Sequence, residues 1–525
     1  MSLTSTRATC PPSTLLTCRR AVRHCGTLLA SLCVAACAVG PDYHKPTVEI
    51  PATFKEGTDW QRAQANPQGA ISSTWWTMYQ DETLSHLVDQ SLKANQSIIA
   101  AEAAYRVAQA TIDANVASLF PVVTDGMSAT RSGTGPGAIS SVNTTSTGAT
   151  VPGVYNVVSA NVAASWEPDL WGQIRREIES SKESAQATDA QLAGERLSIA
   201  ASVVNDYFAL RQADLDIDSL KQQQQIDSRI LDITRAAFLQ GTASNDDVLT
   251  AQDTLELVIA DLQTTQTSRE QDEHAIAVLI GVPPASFSIA PQLNYAFTTP
   301  AVPLTLPSQL LERRPDVVSA ERTAASANAK IGVAEAAFFP LLDLAAEGGF
   351  EHNTFAHLFS LPSRFWTLGP DLAATIFDGG ARTAAVHEAQ ATYDEDVATY
   401  RGAVLTAFQN VEDSLSAWNH LQQQEQAYAN ILQRNRQLFD SERAQLQAGT
   451  ASEENLLTQQ LTLVQAEQSL TDTQSLLTQS SVTLIKNLGG GWQRETSKGA
   501  ATAVQKPEQG LTATQTTGLP ATAAQ

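Results

Sequence analysis

Two twelve-residue words say more about this chain than any composition does. Gly241-Thr242-Ala243-Ser244-Asn245-Asp246-Asp247-Val248-Leu249-Thr250-Ala251-Gln252 returns, 208 residues later, as Gly449-Thr450-Ala451-Ser452-Glu453-Glu454-Asn455-Leu456-Leu457-Thr458-Gln459-Gln460. Phe120-Pro121 returns as Phe339-Pro340 at an offset of 219, and Gly172 with Arg175 returns as Gly379 with Arg382 at 207. Short words repeated in the same order mark a duplicated unit. The period is too long for a solenoid, so each copy is a large substructure. Length alone would allow three or four domains in 525 residues; the duplication points instead to two halves of one body.

Each half switches period in the same way. Leu84, Leu87, Val88 and Leu92 follow helical spacing from about residue 81 to 118, and Phe120-Pro121 ends that helix because proline disfavours the α conformation in the residue before it. Val154, Val158, Ala160, Val162, Ala164 and Trp166 then alternate with Ser159, Asn161, Ala163, Ser165 and Glu167, a strand with one apolar face. Val123 to Arg131 is its expected partner. Residues 131–150 between them hold 13 Gly, Ser or Thr out of 20 and read as a mobile loop. In the second half, Leu342 to Glu351 and Trp366 to Ile376 alternate likewise, with a hairpin 12 residues shorter (219 less 207).

A long helical stretch follows each strand pair. Residues 169–282 and 371–506 contain no proline. From Gly172 to Gln240 the chain is long enough for about 100 Å of helix. Leu197, Val204, Phe208 and Leu215, then Ile226, Ile230 and Ile233, form a coiled-coil type of seam. Gly241 and Gly449 suit helix C-termini. Thr242 or Ser244, and Thr450 or Ser452, suit the next N-cap, with Asp246, Asp247, Glu453 and Glu454 in the first turn. Each repeated word is therefore the tip of a helical hairpin. The expected division is 1–36 leader, 37–80 extended lead-in, 81–295 first repeat, 296–492 second repeat and 493–525 disordered tail.

All five cysteines lie in the first 37 residues, so no disulfide is possible once a leader is removed. Arg19, Arg20 and Arg23 precede a short apolar run, the form of a secretory signal. Val34-Ala35-Ala36-Cys37 resembles a lipobox, which would make Cys37 an acylated first residue; a plain signal peptide that happens to contain a cysteine is the alternative. Without residues 1–36, 29 basic residues face 55 acidic ones, a formal charge of −26. That argues against nucleic acid as a partner and disfavours electrostatic adhesion to an anionic leaflet. No Ser/His/Asp set, phosphate loop or redox cysteine pair occurs, no cofactor is expected, and His352 and His357 lack a third metal ligand at useful spacing.

Strands with one apolar and one polar face suit a membrane barrel, or a soluble sheet packed on the helices. Four strands cannot enclose a wet lumen, and a bilayer tolerates no open edge. Three chains, supplying twelve strands, would satisfy both limits.

Several further words carry a family resemblance. Cys37-Ala38-Val39-Gly40-Pro41-Asp42-Tyr43, Trp75-Trp76-Thr77-Met78-Tyr79-Gln80-Asp81, Ser118-Leu119-Phe120-Pro121 and Trp166-Glu167-Pro168-Asp169-Leu170-Trp171-Gly172 with Arg175-Arg176 are four of them. Leu310-Leu311-Glu312-Arg313-Arg314-Pro315-Asp316, Ala336-Ala337-Phe338-Phe339-Pro340 and Leu488-Gly489-Gly490-Gly491-Trp492 are three more. Together they resemble the TolC-like outer-membrane efflux channels, in their acylated lipoprotein branch. The resemblance implies an α+β membrane protein: a homotrimer with a shared twelve-stranded barrel in the outer membrane of a Gram-negative bacterium, continued by a periplasmic helical tunnel. It implies a passive exit duct rather than an enzyme, docked through Gly241, Thr242, Gly449 and Thr450 to a periplasmic adaptor and an inner-membrane pump. Outer-membrane lipid would contact the barrel and the acyl group. Ala38 is similar to the second residue of lipoproteins sorted to that membrane. Acids near the tips narrow the entrance in relatives. Asp247 takes that position, with Asp246 beside it. The second tip departs, placing Asn455 and Thr458 where many relatives have acids, with Glu453 and Glu454 a turn earlier. The bland reading of all four acids is helix-dipole capping. A protein-secretion duct and a lipid-anchored coiled coil without a pore are the other functions compatible with these words. Residues 312–316 read as a structural ion network, and Trp166 and Trp171 as an interfacial girdle.

Overall fold

The computed structural model describes residues 38–51, 54–56, 71–133, 154–300, 302 and 313–492. The expected leader, Cys37, residues 134–150 of the expected 131–150 loop, Leu310 to Glu312 and the expected 493–525 tail lie outside the described residues.

A short 3-10 helix (Trp75–Tyr79) leads into α1 (Glu82–Ala94), whose first turn is capped by Asp81 Oδ1 accepting from the Leu84 amide at 3.0 Å. The single helix expected from 81 to 118 is interrupted. Asn95, with ψ 129°, ends α1 and starts α2 (Gln96–Ala117). Its side-chain oxygen accepts from the Ser97 and Ile98 amides at 2.9 and 3.2 Å, and its amide nitrogen donates to the Leu279 carbonyl at 2.9 Å. An asparagine that competes with the helix for backbone donors explains the break, which hydrophobic spacing does not register.

β1 (Val122–Gly133) and β2 (Val154–Trp166) follow, then the 67-residue α3 (Gln173–Leu239) and the 35-residue α4 (Asn245–Leu279). The second half answers with α5 (Pro315–Ala336), β3 (Leu341–His352), β4 (Arg364–Ala373), a 67-residue α6 (Ala381–Gln447) and a 35-residue α7 (Glu453–Asn487). α2 and α5 are both 22 residues long. The repeat is therefore tighter than the words imply. Long helices recur at an offset of 208, and α2/α5 and β1/β3 at 219. The second hairpin, counted from its first strand to the long helix, is shorter by 11 residues (219 less 208), not 12. The difference arises at the Gly379-Gly380 pair. Gly380, at φ +94°, is the N-cap equivalent of Gly172 at φ +84°, because Asp378 takes the Gly380 and Arg382 amides and sets where the helix begins. β4 also stops at Ala373, short of the expected Ile376.

The strands form one antiparallel sheet in the order β1-β2-β3-β4. Register separates two faces. Val123, Ala164, Ala346 and Leu368 lie in one row, and Met127, Ala160, Phe350 and Arg364, four residues along, lie on the same face. The opposite face carries Thr124, Ala163, Glu347 and Thr367, then Ser128 and Ser159. Asp125, Arg131, Asn156, His352 and Arg364 also fall on the apolar face and are exceptions. Among the described residues no helix is long and apolar enough to cross a membrane.

The main core lies below the sheet. The 3-10 helix inserts Trp75, Trp76 and Tyr79 among Phe208 of α3, Tyr400 of α6 and Val482 of α7, all buried. The rings meet edge to face, Tyr79 against Phe208 at 5.1 Å, and the Tyr79 and Ser481 hydroxyls are 2.6 Å apart. Asp81 has a second duty here: its Oδ2 accepts from Tyr207 at 2.8 Å and from Tyr295 at 3.3 Å. Burial pushes the Tyr207 phenol up to about 12.

Asp81→Ala removes a cap and strands two phenols at once. We expect it to lower stability by about 2–3 kcal/mol, and Tyr207→Phe by about 1 kcal/mol. Denaturant midpoints of the detergent-solubilised protein check the ranking.

Candidate functional site

Helices α3 and α4 end in the first tip, α6 and α7 in the second, and both turns are built alike. Gly241 (φ +75°) follows α3, with the Thr242 amide bonded to the Ala237 carbonyl and the Gly241 amide to Phe238, each at 2.9 Å. Gly449 (φ +74°) repeats this with Thr450 on Gln445 and Gly449 on Leu446. These crossed bonds satisfy the last carbonyls of each helix. Thr242 and Thr450 add hydroxyl bonds to the same Ala237 and Gln445 carbonyls.

The acids then divide by role. Asp247 closes a capping box: Ser244 Oγ accepts from its amide at 3.2 Å, and its Oδ2 accepts from the Ser244 amide and hydroxyl at 2.8 Å. Those bonds from Ser244, the backbone one foremost, hold the Asp247 carboxyl below its ordinary value. In the second tip Asn455 replaces the box acid, so Ser452 Oγ receives the Asn455 amide alone, at 3.1 Å. The Thr458 hydroxyl turns back to the Glu454 carbonyl at 2.9 Å. Glu453 is bound across the bundle: Arg229 of α3 donates to both its oxygens, at 2.8 and 3.1 Å. Hydrogen bonding from that guanidinium holds Glu453 down. Among the described residues, the Asp246 and Glu454 carboxylates take part in no hydrogen bond or ion pair, so they are the acids left to face solvent.

Sequence reading missed Arg229, because an arginine inside a long polar helix has no local signature. It also missed the apolar character of the first tip. Leu239 is 85 % exposed, and Phe238 and Leu249 are 43 % and 50 % exposed. Apolar residues at helical spacing ordinarily read as core. The only usable signal was their position against the Gly241 stop.

Two further candidates resolve structurally. Arg314 grips Asp316 at 2.6 and 3.0 Å and donates to the Asn487 carbonyl at the end of α7, a structural pin. His352 and His357 stand 5.6 Å apart around Thr354, whose amide donates to His352 Nδ1 at 3.0 Å. At the junction of sheet and helices, Trp171 stacks on Phe339 at 4.8 Å and donates to the Pro340 carbonyl, while Trp166 donates to the Leu119 carbonyl.

The polar sheet face is internally bonded. Asn161 donates to Glu347 at 2.6 Å, and Ser128 meets Ser159 at 2.9 Å. Gly349 makes room for that row: a Cβ there would lie 2.7 Å from the Asn161 Cα and nearer still to the Ala160 carbonyl oxygen.

The sequence model of the family described as outer membrane efflux protein matches residues 87–282 and 306–490. The chain is 31% identical over 481 residues to a probable efflux pump outer membrane protein, TtgC, of Pseudomonas putida, covering 90% of this chain and 97% of that one. It is 29% identical over 488 residues to the same organism's pyoverdine export outer membrane protein OpmQ, covering 90% and 98%. Among solved structures, the outer-membrane channel OprN superposes with a TM-score of 0.76 at 29% identity, covering 87% of this chain and all of that one.

Arg229→Gln is expected to raise amide exchange in residues 448–458 at neutral pH. Glu453 titrates lower when folded, so its stabilising bond is complete above the unfolded value near ~4.3 and is lost as pH falls through the folded one. The difference between wild type and variant therefore closes in acid. Exchange mass spectrometry at neutral and acidic pH checks it.

Proposed function

The chain belongs to the outer membrane efflux protein family, and from that premise we propose that three copies close their four-stranded sheets into one twelve-stranded barrel continued by a helical tunnel. It is an outer-membrane channel of an efflux pump, with its helices on the periplasmic side. The observation that carries the assembly is the sheet itself. It has one apolar face, one internally bonded polar face and two unpaired edge strands. Bilayers reject open edges, and repeating the sheet around an axis pairs β4 of one copy with β1 of the next.

The duct conducts and does not catalyse. Cargo is handed over by an inner-membrane pump through a periplasmic adaptor, which seats on the two tips. Gly241, Thr242, Gly449 and Thr450 shape those turns, and Leu239, Phe238 and Leu249 supply an apolar contact. Asp246 and Glu454, with Asp247 behind them, line the entrance and favour cations. The Arg229–Glu453 pair joins one hairpin to the other at this level. The cargo is a small molecule. Relatives of near-equal similarity carry names for general efflux and for pyoverdine export, which supports a duct that leaves selection to the pump.

Cys37 carries acyl chains in this reading. Ala38 follows it and packs on Gly172, where a Cβ would lie 2.8 Å from the Ala38 Cα, and the Val39 amide donates to the Trp171 carbonyl at 3.1 Å. Residue 38 is thus held beside the junction of sheet and helices, where acyl chains would enter the inner leaflet.

In planar bilayers we expect small, cation-selective conductance steps that enlarge in Asp247→Ala and Glu454→Ala. Intact trimers without conductance in any of the three proteins would sink the duct. Leu239→Asp should weaken adaptor capture while conductance is unchanged, and Cys37→Ser should remove the lipid mass from the intact protein.

A further inference from the structure

Helices α3 and α7 belong to different hairpins, and the seam between them is polar. Gln212 donates to Asp472 Oδ1 and Gln468 donates to Asp216 Oδ1, each at 3.1 Å. Gln223 donates to Gln468 Oε1 at 3.1 Å. Further toward the tip Asp227 is 4 % exposed, and its Oδ2 has no partner among the described residues. The opposite side of α3 is different in kind: Ile217 and Leu220 pack on Leu262 of α4.

We propose that Asp216 and Asp472 are a proton-operated clasp between the two helical hairpins: sharing a proton they tie α3 to α7, and with both charged they push the seam apart. Burial, and next the charge of Asp472, pushes Asp216 up to about 7; burial raises Asp472 as well. The two titrate as one unit, the last proton leaving near neutrality.

Among the described residues no basic group is paired with either carboxylate. On α3, Arg211 is committed to Asp214 and to the Tyr207 ring, Asp218 accepts from Gln222, and Lys221 is exposed. On α4, Arg269 holds Asp214 and Glu273, and Asp272 lies beside Asp206. On α7, Glu467 is paired with Arg436 of α6, and Glu425 of α6 takes the Gln474 amide. Because the folded value lies above the unfolded one, the stabilisation is complete below about pH 4 and is lost as pH rises through about 7. In a duct whose mouth is made by the hairpin tips, the clasp would make opening pH-sensitive. That consequence rests on the duct reading; the clasp does not.

Amide exchange of the full-length protein in detergent, corrected for intrinsic rates, tests it. Between about pH 6 and about pH 8, residues 210–222 and 466–478 should lose protection about tenfold, the equivalent of one pK unit. Asp216→Asn/Asp472→Asn should stay protected at both values, while Asp206→Asn should behave as wild type. A flat wild-type profile overturns the clasp, and needs no variant to fold. So does an unchanged pH response in the double variant. Conductance measured in parallel separates the two readings: a clasp in a non-conducting protein would leave the seam result standing and remove the duct.

Discussion

An amide at the edge of a sheet must find an acceptor, and hydrocarbon offers none. That requirement governs this molecule. The order β1-β2-β3-β4 leaves one side of β1 and one side of β4 unpaired. The face bearing Val123, Val162, Trp366 and Leu368 is exposed on the single chain. An edge is not stable open in lipid, and that face is not stable bare in water. A ring of copies closed within the bilayer relieves both, and the helices must then descend side by side from the ring. The equal lengths of α3 and α6, 67 residues each, bring both tips to a common level.

Among the described residues there is one substantial apolar core, placed midway along α3 and α6, where the Trp75–Tyr79 turn is driven between α3, α6 and α7. Toward the tips apolar packing thins to the small cluster of Ile217, Leu220 and Leu262 and to scattered buried residues such as Ile226, Leu231, Leu432 and Val464, and polar bonds become more frequent. Hydrophobic burial scales with the area removed from water, whereas amide and carboxyl pairs contribute little net energy each. A bundle graded in this way is firmly held at its equator and lightly held at its mouth. Regions with few buried apolar contacts are those that open first.

Local chemistry was legible in the sequence. The strands announced themselves by alternation, and the tips by Gly241 and Gly449 between long proline-free stretches. The acids of the capping turns followed from the same words. What stayed hidden was pairing at a distance. Asn95 looks like any polar residue in a helix until the Leu279 carbonyl is seen to claim it. Nothing in an evenly polar 67-residue helix says that Arg229 faces Glu453, or Asp216 faces Asp472, because those contacts depend on how two hairpins lie together. Leu239 misleads for the opposite reason, as an apolar residue whose place is on the surface. The Gly379-Gly380 pair offered two helix starts, and Asp378 decided between them.

Gly241 and Gly449 have no atom within 4 Å of where a side chain would begin, yet both hold a backbone angle that other residues rarely adopt. The tips are thus sterically free and conformationally bound. If the tips seat a partner, the surface that meets it can be redrawn residue by residue around each turn while the turn keeps its shape. Change of docking specificity and permanence of the hairpin are then two outcomes of one dihedral.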